Sequence, residues 1–155
     1  MKHIWSVLCE KSIVDAQKNT ISLIDVLEQL NVSIPSDNIA KIDEGPITIQ
    51  VNFELVSFWM KDEDKQEKDE EVIVSIEAYG PDNRKLKSFD QSIKIPAGYK
   101  RIRSRSLFTG LSIFESGVHK IKIKFRDNEQ GGELRVVAEL PLDIALSIPM
   151  GKKVA

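Results

Sequence analysis

Two runs of cations in this chain recur at a spacing that could bind an anion. Arg101, Arg103 and Arg105 occupy every second position of one segment. Lys120, Lys122, Lys124 and Arg126 do the same in a later one. In an extended strand successive side chains point to opposite faces, so each run lies on a single face. The segments flank Glu115-Ser116-Gly117, which reads as a hairpin turn. If Glu115 pairs with Val118, all seven cations share one sheet face. Ile102, Phe108, Ile121, Ile123 and Phe125 then share the other. A one-residue bulge would split the set. Like charges on adjacent strands repel, so such a face needs anions to answer it. Acids of a neighbouring strand or of the loop Asp62 to Glu71 would make it a solvated outer face. Otherwise the anion comes from a partner: an acidic protein surface, an anionic ligand or a nucleic-acid backbone. No aromatics interleave the cations, which disfavours single-stranded nucleic acid.

The other reactive side chains form no catalytic or metal-binding pattern. His3 and His119 are the only histidines. His119 shares parity with Ile121, Ile123 and Phe125, which points it inward or to the hairpin mouth. An enzyme with an unfamiliar site would draw on His119, Asp82 and Asp127. Asp82 and Asp127 follow strands and could bind calcium, but turn-forming aspartate is the commoner role. Asp62 and Asp64 open like a calcium loop. Glu67 then stands where the glycine is needed, and Ile73 where the bidentate glutamate is needed. No cysteine pair, HExxH, phosphate loop or dinucleotide fingerprint is present. Cys9 is the sole cysteine and has no basic neighbour nearer than Lys11. A buried, inert thiol is expected, since reactivity needs a lowered pKa and access. The expectation is a non-enzymatic protein without metal or cofactor.

The elements that must position these residues are strands. The chain has 155 residues, with 19 Ile and 12 Val against 12 Leu and 7 Ala. β-Branched residues suit a pleated surface. Ile47, Ile49, Val51, Phe53 and Leu55 alternate with polar residues, as do Val72, Val74, Ile76 and Ala78. Gly80-Pro81-Asp82-Asn83 is a strong turn signal, and Pro96-Ala97-Gly98 and Gly131-Gly132 punctuate again. Thr20 to Leu30 is ambiguous. Leu23, Val26, Leu27 and Leu30 make a helical stripe, yet the preceding turn and the following Pro35 favour strand. Lys61 to Glu71 carries seven acids and three lysines and reads as a mobile inter-strand loop.

Length fits one domain over residues 1–155. The net charge of −2 excludes a protein basic overall but not a local basic face. The apolar run at the N-terminus is too short for a secretory signal, and no run is long enough to span a membrane. With its lone cysteine, the chain is expected to be cytoplasmic.

The opening Leu8-Cys9-Glu10-Lys11-Ser12, followed by Asn19-Thr20-Ile21-Ser22-Leu23-Ile24-Asp25-Val26, resembles a family of small bacterial β-sandwich proteins of unknown function. So do Pro35, the strand-turn-strand at Gly80-Pro81-Asp82-Asn83-Arg84-Lys85-Leu86, and Ser116-Gly117-Val118-His119-Lys120-Ile121-Lys122-Ile123. Glu10, Asn19 and His119 depart from that family, which more often has Asp, Gly and Tyr there. The resemblance covers most of the chain. It implies a sandwich fold, no activity and no catalytic residues.

The sequence therefore predicts an all-β, two-sheet antiparallel sandwich of eight or nine strands, immunoglobulin-like or a related Greek key. The predicted function is a binding module that engages an acidic protein surface or anionic ligand through the basic face. The alternative is a structural or assembly protein, such as a phage or prophage component, that oligomerises through strand edges. An enzyme ranks third.

Overall fold

The computed structural model describes residues 1–35, 38, 45, 47–126 and 132–147. Their strands are β1 (Lys2–Asp15), β2 (Thr20–Val26), β3 (Gln29–Ser33), β4 (Ile47–Met60), β5 (Glu70–Tyr79), β6 (Lys85–Ile95), β7 (Arg101–Ile113), β8 (Gly117–Arg126) and β9 (Arg135–Ser147). A 3₁₀ turn covers Glu63–Lys65. Two sheets form, with strand orders β2-β1-β4-β7 and β3-β9-β8-β5-β6. The protein is all-β, as its alternating apolar residues predict.

The sheets bury their alternating faces against each other. Phe53, Leu55 and Trp59 of β4 and Phe108 of β7 meet Val74, Ile76, Ile121, Ile123 and Phe125 from the second sheet. Phe53 stacks on Phe108 with centroids 4.6 Å apart, and Phe89 of β6 meets Phe108 edge-on at 5.5 Å. Offset and edge-to-face contacts of this kind suit the aromatic quadrupole. The buried Trp59 donates its indole N–H to Ser104 Oγ at 3.2 Å.

Residues 20–30 are extended, not helical, and they serve both sheets. β2 closes a hairpin with β1. Asp25 then adopts a φ of 50°, and the chain crosses over. Leu27 N donates to Leu8 O in the first sheet at 2.8 Å, while Glu28 O accepts from Asp143 N in the second at 3.0 Å. Leu27 and Leu30 pack on the core, whereas Val26 is exposed. The apparent helical stripe is thus the trace of a sheet switch. After it β3 runs parallel to β9, a departure from the all-antiparallel expectation.

The expected hairpin between the two cationic strands does not form. β7 pairs with β4, and β8 pairs with β5 and β9. Residues 114–116 instead carry the chain from one sheet to the other. Both strands do bury one face, as their period requires, but from opposite sides of the core. Gly117 sits at the crossing with a φ of 137°, and a Cβ there would come within 3.0 Å of Pro81.

The acidic segment 61–69 is docked rather than free. Lys61 is buried and donates its ammonium to Lys68 O and, at 2.7 Å, to Pro96 O. Its backbone N–H donates to Lys100 O at 2.9 Å, and Gly98 N donates to Gln66 O at 3.0 Å. Asp69 Oδ1 accepts from Ala97 N at 2.9 Å. The segment therefore supports the turn that follows β6.

Candidate anion-binding cleft

The sheet crossing divides the seven cations. Lys120, Lys122 and Lys124 lie on the outer face of β8, and Arg101, Arg103 and Arg105 on the outer face of β7, which belongs to the other sheet. Arg126 ends β8 opposite Ile73. A single seven-cation face is thereby corrected to two separate ones.

On β8 the neighbouring strands supply the counter-charge. Glu77 of β5 is buried at 6% side-chain exposure, and its carboxylate accepts from Lys124 Nζ at 2.6 Å and from Lys85 Nζ at 2.8 Å. The Tyr79 hydroxyl donates to the same group. Burial alone would raise the Glu77 pKa. The donated bonds of Lys124, Lys85 and Tyr79 outweigh it and lower the pKa from 4.5 to about 2. Glu139 of β9 lies 3.4 Å from Lys122 Nζ and 3.9 Å from Lys120 Nζ. Lys122 Nζ also stands 4.9 Å over the Tyr79 ring. Each lysine of β8 thus has a carboxylate within 4 Å, two carboxylates serving these three lysines and Lys85.

The β7 face is built differently. Beyond Cys9, the last residue paired with β4, the β1–β2 hairpin leans over the outer surface of β4 and β7. Ser12 N donates to Glu54 Oε2 at 3.1 Å, and Arg105 Nη1 lies 3.4 Å from Ser12 O. At the hairpin tip, Asn19 holds a φ of 51°. Asparagine and aspartate tolerate this left-handed conformation better than most residues. Arg103 Nη2 donates to Asn19 O at 3.1 Å and to Asn19 Oδ1. Asp15 Oδ1 accepts from Gln17 N and Lys18 N, which shapes the turn before Asn19.

An open cleft of about 600 Å³ lies between this tip, the β4–β7 surface and the turn after β6. Its walls include Trp5, Phe58, Val14, Tyr99, Arg101 and Arg103. A β-bulge between His3 and Trp5 re-aims β1: His3 pairs with the inward Trp59, yet Trp5 pairs with the outward Phe58. The two rings stack at 5.6 Å. Tyr99 is 65% exposed and stands on the turn that Lys61 and Asp69 secure. No acid is among the described lining residues. The cleft combines two guanidinium groups with an aromatic floor, and ligand sites are commonly apolar pockets with a few placed polar groups.

The remaining sequence candidates are accounted for individually. His119 is buried and its Nδ1 donates to Gly117 O at 3.0 Å, while Nε2 has no partner among the described residues. Asp82 accepts from Arg84 N at 2.9 Å and pairs with Arg84 Nε at 3.3 Å, a turn-forming role. Asp127 lies outside the described residues. Cys9 is fully buried, and burial, with Glu54 nearby, raises its thiol pKa. Among the described residues no group of three or more His, Cys, Asp and Glu could hold a metal ion, and no helix is long and apolar enough to cross a membrane.

Trp5, Asn19, Phe58, Lys61 and Tyr99 were not predicted as site residues. Phe58 did carry a signal, because it shares the polar parity of Asn52 and Glu54 on β4. Trp5 carried none, since the bulge that turns it outward has no sequence mark.

No known protein-family model matches the chain, and no curated protein matches it. Among solved structures it is similar to a Bacteroides uniformis β-glucuronidase, with 13% identity and a TM-score of 0.48 over 64% of this chain. A glycosyl hydrolase family 2 member from Bacteroides cellulosilyticus gives 9% identity and 0.43 over 65%. A β-glucuronidase from glycoside hydrolase family 2 gives 12% identity and 0.45 over 74%. The chain spans only 12–14% of the length of these proteins. At this level the similarity carries no inference about activity.

Proposed function

We propose that this chain is a non-enzymatic binding module that engages an anionic partner through the cleft beside Arg101 and Arg103. The observation that carries this reading is the asymmetry between the two cationic faces. The β8 lysines have Glu77 and Glu139 against them, whereas the described lining of the cleft carries two arginines and no acid. A cationic wall in a partly desolvated recess gains more from an anion than a solvated one does. The test is a backbone-amide NMR titration with hexaglutamate and with benzoate. The expected shifts centre on Asn19, Arg101, Arg103 and the Trp5 indole. Shifts confined to Lys120–Lys124, or no shifts with either anion, would overturn the reading.

The finer architecture belongs to the same proposal. A β4–β7 pair opposite a β9-β8-β5-β6 sheet, with β3 parallel to the last strand, supports an immunoglobulin-like sandwich with β1–β2 added at its edge. This reading is compatible with the uncharacterised β-sandwich family that the sequence resembles.

Assembly through strand edges is the second reading. It is favoured by β2, a free edge of its sheet that has exposed Ile24 and Val26 and lies beside exposed Ile13. Light scattering that gives a strict monomer at high concentration would remove it.

A further inference from the structure

We infer that the cleft takes a small organic acid bearing a flat ring, with Arg103 pre-set by Asn19 to meet the acid group. The inference rests on the binding reading above and narrows its ligand. Three observations support it. The first is size: a cleft of about 600 Å³ falls among small-molecule sites and admits a one- or two-ring compound.

The second is the division of the walls. Trp5 and Phe58 make one stacked aromatic surface, Tyr99 joins the lining from a secured turn, and Val14 comes from the hairpin. A flat ring buries its apolar area against such a surface. A simple inorganic anion would leave it unused.

The third is the state of the guanidinium groups. Arg103 commits Nη2 to Asn19, through both the backbone oxygen and Oδ1. Among the described residues its Nη1 and Nε have no partner, so N–H groups remain for a ligand. Arg101 lies two residues along the same strand face, about 7 Å away. It is exposed and can close on the same anion. Fixing Arg103 beforehand removes part of the side-chain entropy that a free arginine loses on binding. Charge-assisted bonds to a carboxylate are roughly twice as strong as neutral ones.

The probes are 2-naphthoate, its neutral counterpart 2-naphthalenemethanol, acetate and hexaglutamate. Affinities come from Trp fluorescence, and sites from amide and indole NMR shifts. The expected result is that 2-naphthoate binds at Trp5, Asn19 and Arg103 about tenfold more tightly than the alcohol. Acetate binds too weakly to saturate. In Arg103→Gln the preference for acid over alcohol shrinks to about twofold. That variant removes the charge but keeps a polar, N–H-donating side chain, and circular dichroism checks its fold. Equal binding of acid and alcohol in the wild type overturns the inference. So does naphthoate binding away from the cleft. If hexaglutamate shifts the cleft residues and naphthoate does not, the ring-acid inference fails while the anion-binding reading stands. If neither does, both fail.

Discussion

Arg103 and Asn19 are 84 positions apart in sequence and share a hydrogen-bonded contact at the rim of the cleft. It joins the tip of the β1–β2 hairpin to the edge strand of the same sheet. Beyond Cys9, where β1 leaves β4, this contact adds to those that Ser12 makes with Glu54 and Arg105. Asn19 thus does two jobs: it turns the chain at a positive φ, and it orients a guanidinium.

Separating those jobs gives the first prediction. Asn19→Gly keeps the left-handed turn and the backbone acceptor but removes Oδ1. Its melting temperature should stay within about 2 °C of wild type. Affinity for 2-naphthoate should fall about three- to fivefold, because one of the bonds that fix Arg103 is gone. Asn19→Val, strained at a φ of 51°, should lose stability as well. Thermal melts and fluorescence titrations of the two variants check this.

Glu77 gives a pH prediction. Its folded pKa is depressed from 4.5 to about 2, so its contribution is fully present above the unfolded value. That contribution is lost as pH falls from about 4.5 through 2. Lys85 is half exposed, so solvent screens part of the interaction. Glu77→Gln should cost about 1–2 kcal/mol at pH 7. The gap between variant and wild type should close near pH 2. Urea denaturation at both pH values measures it, and a gap that stays constant would contradict the assignment.

Lys61 supports the cleft from behind. Lys61→Met keeps the length of the buried stem and removes the ammonium that reaches Lys68 O and Pro96 O. A loss of about 1–3 kcal/mol is expected from the two carbonyls left unpaired. Amide exchange at Gly98 and Tyr99 should speed up, while exchange in β8 should change less. Uniform acceleration across both sheets would mean that Lys61 serves the whole fold and not this turn.

Cys9 should be inert in the folded protein. It is fully buried and its thiol pKa is raised by burial. Ellman's reagent should label it only as fast as the protein unfolds, and stoichiometrically in denaturant. Rapid labelling under native conditions would contradict its buried placement on β1, between β2 and β4.

The sequence made the strands legible because burial on one face imposes period two, which β4, β5 and β8 obey. It could not tell which sheet a strand joins. Arg101–Ile113 and Gly117–Arg126 look like a hairpin from either side of Ser116-Gly117, yet the short link crosses the core. The correct inward set, Phe108 with Ile121, Ile123 and Phe125, survives both readings, because inward faces meet in a hairpin sheet and in a sandwich alike. Only the outward cations distinguish them. The Thr20 to Leu30 ambiguity has a similar origin, since one segment supplies strands to two sheets. The acidic run Lys61 to Glu71 misled by composition: one buried lysine and two backbone contacts outweigh its charge. Half of the candidate site, Arg101 and Arg103, was visible as a cationic period. Its aromatic half depends on a bulge in β1 and on a turn held from another loop, neither of which periodicity reveals.

The central claim is that the anion site lies on the β7 face and not on the β8 face. Charge reversal on each face tests it most directly, with the affinity for 2-naphthoate as the measurement. Arg103→Glu should weaken binding by about tenfold or more, while Lys122→Glu should change it by less than about twofold. Equal losses in the two variants, or a larger loss in Lys122→Glu, would contradict the account.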